Sequence, residues 1–150
     1  MKKILFMIHD LGPGGAEKVL VNLVNNMDHT RFDITVVALF AGGVNEQFLS
    51  PCIHYYSVWQ KCIRGNSKIM KLLNPSHLHK LCIKEHYDIE VSYLEGPSAR
   101  IISGCPDPFT KLVSWIHIEQ HTRKWAAGSF RSYEESVYCY SRFNQTVCVS

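Results

Sequence analysis

Nowhere in the 150 residues is there a run of about 18 apolar side chains, so no transmembrane helix is expected. An export leader is not expected either. Met1-Lys2-Lys3 followed by Ile4 to Ile8 imitates one, but the apolar run is five residues and His9 and Asp10 end it. A leader needs about 7–15. The six cysteines form no Cys-x-x-Cys pair and no zinc-type spacing. Scattered reduced thiols are therefore expected, and a cytosolic protein with them. Acidic residues vanish between Gln47 and Lys84. That stretch holds Lys61, Arg64, Lys68, Lys71, Lys80 and Lys84, a local charge of +6 against +3 for the whole chain, so the remainder is acidic.

What is present is ordinary for a folded domain. With 46% hydrophobic and 19% charged residues, the chain is not disordered. Residues 1–150 suit one domain, which buries about 70% of its unfolded surface without staples.

The pattern alternates. Lys3 to His9 and Asp33 to Phe40 read as strands buried on both faces, with a helix between them carrying Ala16, Val19, Leu20, Leu23, Val24 and Met27 at helical spacing. Ile53 to Val58 is a third, more polar strand, expected near a sheet edge. Ser67 to Leu73 suits a short helix. Another starts at Asn74-Pro75-Ser76 and is expected to run to about His86. Asp88 to Leu94, Lys111 to His117 and Gln145 to Val149 complete six strands, with helices expected over Pro97 to Ser103 and Arg131 to Phe143. Such alternation predicts an α/β fold: a Rossmann-like doubly wound, mainly parallel sheet of order 3-2-1-4-5-6. Ligands bind such sheets at the carboxyl ends of the strands near the switch point. Here those positions are Asp10 to Gly15, Glu95-Gly96, and His117 to Glu119.

Gly12-Pro13-Gly14-Gly15-Ala16-Glu17 follows a strand and opens a helix, where backbone N–H groups and the helix dipole favour an anion. It is not a dinucleotide fingerprint. Glu17 stands at its third glycine position, and Leu39-Phe40-Ala41 replaces the ribose-binding acid. Nor is it a P-loop, since Gly-Lys-Ser/Thr is missing.

This strand, with Gly14-Gly15-Ala16-Glu17 and the apolar helix, resembles the amino-terminal domain of family 4 glycosyltransferases of GT-B fold. Tyr93-Leu94-Glu95-Gly96-Pro97, Ser114-Trp115-Ile116-His117 and Tyr140 to Ser150 resemble its later segments in the same order. The resemblance spans essentially the whole chain. It implies transfer of a sugar from a nucleotide-activated donor to a glycan or lipid-linked acceptor, with retention, as in bacterial surface polysaccharide synthesis. It implies no metal and no cofactor beyond the nucleotide-sugar substrate. Gly14 and Gly15 would meet the donor diphosphate, and His117 the transferred sugar, as the catalytic histidine. Family 4 enzymes hold the nucleotide sugar mainly in a second domain with a Glu-x7-Glu motif. No such motif occurs here, so these residues are expected to be the acceptor-side half of a longer enzyme, inactive alone. Alternatives are half of a GT-B sugar-nucleotide epimerase, or a non-enzymatic Rossmann-like module binding a nucleotide or partner.

Individual residues keep two readings. His117 either serves the site or caps a strand. Asp10 and Glu95 either orient an acceptor hydroxyl or cap the following helix. Glu119, beside Gln120, is an acceptor-side candidate on a loop. Trp115 either stacks on a sugar or belongs to the core. His77 and His79 do not share a helix face, which argues against a metal there. Lys61, Arg64, Lys68 and Lys71 interleave with Ile63, Ile69, Met70, Leu72 and Leu73, either as a solvated face or as an interfacial helix on an anionic membrane at its inner face. Nucleic acid is not an expected partner, because no recognition motif accompanies the charge.

Overall fold

In β1 (Lys2–Ile8), Ile4, Phe6 and Ile8 join one hydrophobic cluster and Leu5 and Met7 another. Side chains alternate along a strand, so β1 must be covered on both faces. The computed structural model describes residues 1–62, 64–118 and 122–149. In chain order its elements are β1, α1 (Gly15–Asn26), β2 (Phe32–Phe40), a 3-10 turn at Glu46–Phe48, β3 (His54–Trp59), α2 (Asn66–Leu72), α3 (Pro75–Cys82), β4 (Ile89–Ser92), α4 (Pro97–Ile102), β5 (Lys111–Ile116), α5 (Thr122–Ser129), α6 (Tyr133–Ser141) and β6 (Gln145–Cys148).

The six strands form one sheet of order β3-β2-β1-β4-β5-β6, and every adjacent pair is parallel. This is the expected α/β arrangement and strand order. One face is covered by α1, whose Leu20, Val21 and Val24 pack with Ile34, Val36 and Tyr93. The opposite face carries α2, α3 and α4 through Met70, Leu78, Cys82, Ile101 and Ile102. A smaller cluster of Ala99, Ala126, Phe130 and Cys139 ties α4 to α5 and α6. Among the described residues no helix is long and apolar enough to cross a membrane.

Two helix ends and one helix depart from expectation. Helix α3 stops at Cys82 rather than near His86, because Ile83 turns extended and is buried in the core. Helix α6 begins at Tyr133, where the Ser132 hydroxyl accepts the Glu135 N–H at 3.1 Å. That is an N-cap, and Arg131 lies outside it. Helix α5 falls where a loop was expected. Among its described side chains Ala126 is the one in the buried core. It forms because it packs against its neighbours.

Candidate functional site

The parallel sheet brings the three expected clusters to one edge. Met7 pairs with Ser92 and Ser92 with Ser114. Asp10, Glu95 and His117 each lie three residues further on, beyond the carboxyl ends of β1, β4 and β5. Adjacent strands are about 4.8 Å apart, so the three clusters fall within about 10 Å across the sheet. The switch point lies between β1 and β4, where successive connections leave in opposite directions.

The glycine turn is braced from two sides. Asp10 Oδ1 accepts the Gly12 N–H at 2.7 Å, so Asp10 shapes the turn and does not cap α1. From the loop after β2, the Asn45 N–H donates to the Leu11 carbonyl at 2.9 Å, and the Asn45 side-chain amide donates to the Gly12 carbonyl. This close approach requires glycine at 43, where a Cβ would run into the Leu11 carbonyl. Glu46 Oε1 in turn accepts the Gly42 and Gly43 N–H groups at 2.7 and 3.0 Å and the Tyr55 hydroxyl at 2.6 Å. Gly14 is the N-cap of α1 and Gly15 opens it, exposed and with open space around it. The Glu17 carboxylate folds back over Gly14. A carboxylate there suits the positive end of the helix dipole, and an incoming phosphate would have to displace it.

Glu95 and His117 are joined directly. Glu95 Oε1 accepts the backbone N–H of His117 and, at 2.8 Å, that of Ile118. The carboxylate therefore clamps the end of β5 and does not cap α4. Gly96 is that helix's N-cap, without a side-chain cap, at φ 92° and ψ −123°. A non-glycine residue would be strained there.

The His117 ring meets Tyr93 at a centroid distance of 4.8 Å and stacks on Trp115 at 6.2 Å; Tyr93 and Trp115 are 5.1 Å apart. Trp115 packs against the core cluster under α1. Tyr93 Oη, Trp115 Nε1 and His117 Nε2 are all buried without a hydrogen-bond partner. Each unmade bond costs roughly 1–3 kcal/mol. Burial first, and the nearby Glu17 charge second, push the Tyr93 phenol up to about 12, so it stays a donor. Glu119 and Gln120 lie outside the described residues.

The basic stretch divides. Lys61, Arg64 and Lys68 are exposed. Lys71 is half-buried and donates to the Ala127 carbonyl of α5. Helix α2 leaves Ile69 and Leu72 largely exposed, at 62% and 77%. Ile63 lies outside the described residues.

The carbonyls that end α2 have no partners within the helix. Two arginines supply them. Buried Arg100 of α4 donates to the Met70 and Leu73 carbonyls at 2.8 and 2.7 Å, and Arg131 donates to those of Lys71 and Leu72. Glu135 holds both arginines, accepting from the Arg100 guanidinium twice at 3.1 Å and from the Arg131 N–H at 2.6 Å. Burial raises the Glu135 pKa, but these contacts outweigh it and hold the carboxyl below its usual range.

One buried group on the α3 side was not singled out from sequence. His79 Nε2 lies 2.7 Å from Glu90 Oε2, and the Cys105 thiol lies 3.8 Å from Glu90 Oε1. Burial disfavours the imidazolium, but hydrogen bonds and charges from Cys105 and Glu90 prevail and push its pKa up to about 9. The three ligand-type atoms lie within 4.8 Å of one another. Their mutual contacts already satisfy them, and the cluster faces the core rather than the carboxyl edge.

No family model matches the chain, and no curated protein matches it.

Proposed function

We propose that this domain is the acceptor-side half of a retaining glycosyltransferase that uses a nucleotide-sugar donor and a glycan or lipid-linked acceptor. The observation that carries this reading is the Glu95 clamp on His117 beside the Gly14-Gly15 turn, at the switch point of a parallel sheet. The Gly14 and Gly15 N–H groups face the donor diphosphate once Glu17 swings off Gly14. His117 lies against the transferred sugar. The leaving phosphate oxygen takes the acceptor proton, and the oxocarbenium-like state is held electrostatically, so no protein nucleophile is required. The nucleotide is gripped mainly by a second domain. Bacterial surface polysaccharide is the expected setting, with α2 and the segment before it resting on the anionic inner face of a membrane through Lys61, Lys68, Ile69 and Leu72.

Titration of the 150-residue chain with nucleotide sugars, followed by amide NMR, tests the donor site. We expect weak binding that shifts the Gly14, Gly15 and His117 amides together. Shifts confined to other residues, or stronger ones at the same residues with NAD, would reject the proposal.

A further inference from the structure

His79, Glu90 and Cys105 come from separate parts of the chain: the last turn of α3, the start of β4 and the segment just after α4. All are buried, at 7%, 1% and 2% exposure. An imidazole nitrogen, a carboxylate oxygen and a thiol sulfur meet there, within 4.8 Å of one another. Glu90 stands in a strand paired on both sides, and its register partners Leu5 and Leu112 belong to the apolar core under α3. A carboxylate in such a place is costly unless its charge is matched.

As they stand, two protons hold the trio together. The His79 Nε2 proton and the Cys105 thiol proton both point to Glu90, over 2.7 and 3.8 Å. A divalent cation can take the place of both. Bonds of about 2.0–2.3 Å to nitrogen, oxygen and sulfur set tetrahedral ligands roughly 3.3–3.5 Å apart, so side-chain shifts of about 1 Å admit the ion. A thiolate and a carboxylate cancel the charge of a divalent ion, which leaves the core neutral. The Asp107 carbonyl, 3.9 Å from the Cys105 sulfur, is a further oxygen at the same point. Mixed nitrogen, sulfur and oxygen donors suit zinc, whereas magnesium and calcium take oxygen ligands. Solvent is close, because Asp107 pairs with the exposed His86 at 2.7 Å. His77 takes no part, since its ring bonds the Asn74 side chain at 2.8 Å. No short zinc motif marks the site in the sequence, because each ligand comes from a different element.

We propose that His79, Glu90 and Cys105 bind a zinc ion, a structural clip that ties α3 and the segment after α4 to β4. The site lies away from the carboxyl edge, so it stands or falls independently of the transferase reading.

Cobalt(II) titration of the chelator-treated 150-residue chain, under reducing conditions, reads the site. Thiolate ligation gives a charge-transfer band in the near ultraviolet. We expect that band to saturate at one ion per chain and to vanish when zinc is added. Zinc should raise the melting temperature by at least about 4 °C. Cys105→Ser should abolish the band and weaken zinc binding at least about tenfold, the loss that disturbing even an outer-shell partner produces. His79→Gln, which keeps the thiol, should weaken zinc by a similar factor. Replacing the exposed Cys52 and Cys62 together by Ser should change neither the band nor the affinity. Wild type without a thiolate band overturns the proposal. So does a band that survives in Cys105→Ser or is lost with Cys52 and Cys62, which would put the ion on other thiols. Equal zinc affinity in wild type and His79→Gln, or a melting temperature that zinc does not move, overturns it as well. Circular dichroism confirms that the variants fold.

Discussion

Glu95 accepts the backbone N–H of His117 across the carboxyl edge of the sheet, through the same oxygen that accepts Ile118. Hydrogen bonds to a charged acceptor are worth about 1.5–3 kcal/mol each. Glu95→Ala should therefore speed hydrogen exchange at the His117 and Ile118 amides at least about tenfold. Glu95→Gln keeps an oxygen acceptor and should stay close to wild type. Unchanged exchange in the alanine variant would mean that the clamp does not hold the loop.

Arg100 is buried at the end of α2 and paired with Glu135. Replacing it by Met leaves Glu135 without its guanidinium partner and strips the Met70 and Leu73 carbonyls. Loss of one partner of a buried pair costs about 3–5 kcal/mol. Arg131 is exposed, and Arg131→Met should cost no more than about 1 kcal/mol. Urea denaturation compares the two, and similar losses would contradict the distinction.

His79 gives the fold a pH dependence in the alkaline direction. Its pKa rises from 6.5 in the unfolded chain to about 9 in the fold. Between those values the folded state binds the extra proton, so this contribution is complete below about pH 6.5. It is lost as pH climbs through 9, at no more than about 1.4 kcal/mol per pH unit. Denaturation curves from pH 6 to 9.5 should show that decline in wild type and a shallower one in His79→Gln. Parallel slopes would exclude His79 as the source.

On the membrane side, the useful lysines are Lys61 and Lys68, because Lys71 is engaged with Ala127. Charge reversal of both should cut flotation with anionic vesicles at least about tenfold at low salt, and added salt should weaken wild-type binding. Equal flotation of the two proteins would leave the stretch as a solvated face.

Strand order and the convergence of Asp10, Glu95 and His117 were legible because buried strands and intervening helices announce themselves by periodicity, and a parallel sheet fixes which ends meet. The roles of Asp10 and Glu95 were not. Each accepts backbone N–H groups, Asp10 from two residues on and Glu95 from a neighbouring strand's loop, and no spacing rule marks either bond. Asn45 was missed for the same reason, since its partners lie on the β1 turn. Ser132 and Glu135 did carry a local signal, a Ser-x-x-Glu pattern at a helix start. Arg100 carried none, because what it completes is the end of another helix. The buried His79–Glu90 pair joins a helix to a strand 11 residues away and needed the fold to appear.

The most direct measurement is sugar transfer by the polypeptide read through from the gene that encodes these residues. Nucleotide sugars should release nucleoside diphosphate with retained anomeric configuration in the product. His117→Ala should lower kcat at least about 10²-fold without lowering the melting temperature. Transfer at the wild-type rate by His117→Ala, or no turnover of any nucleotide sugar by the wild-type polypeptide, would contradict the proposed function.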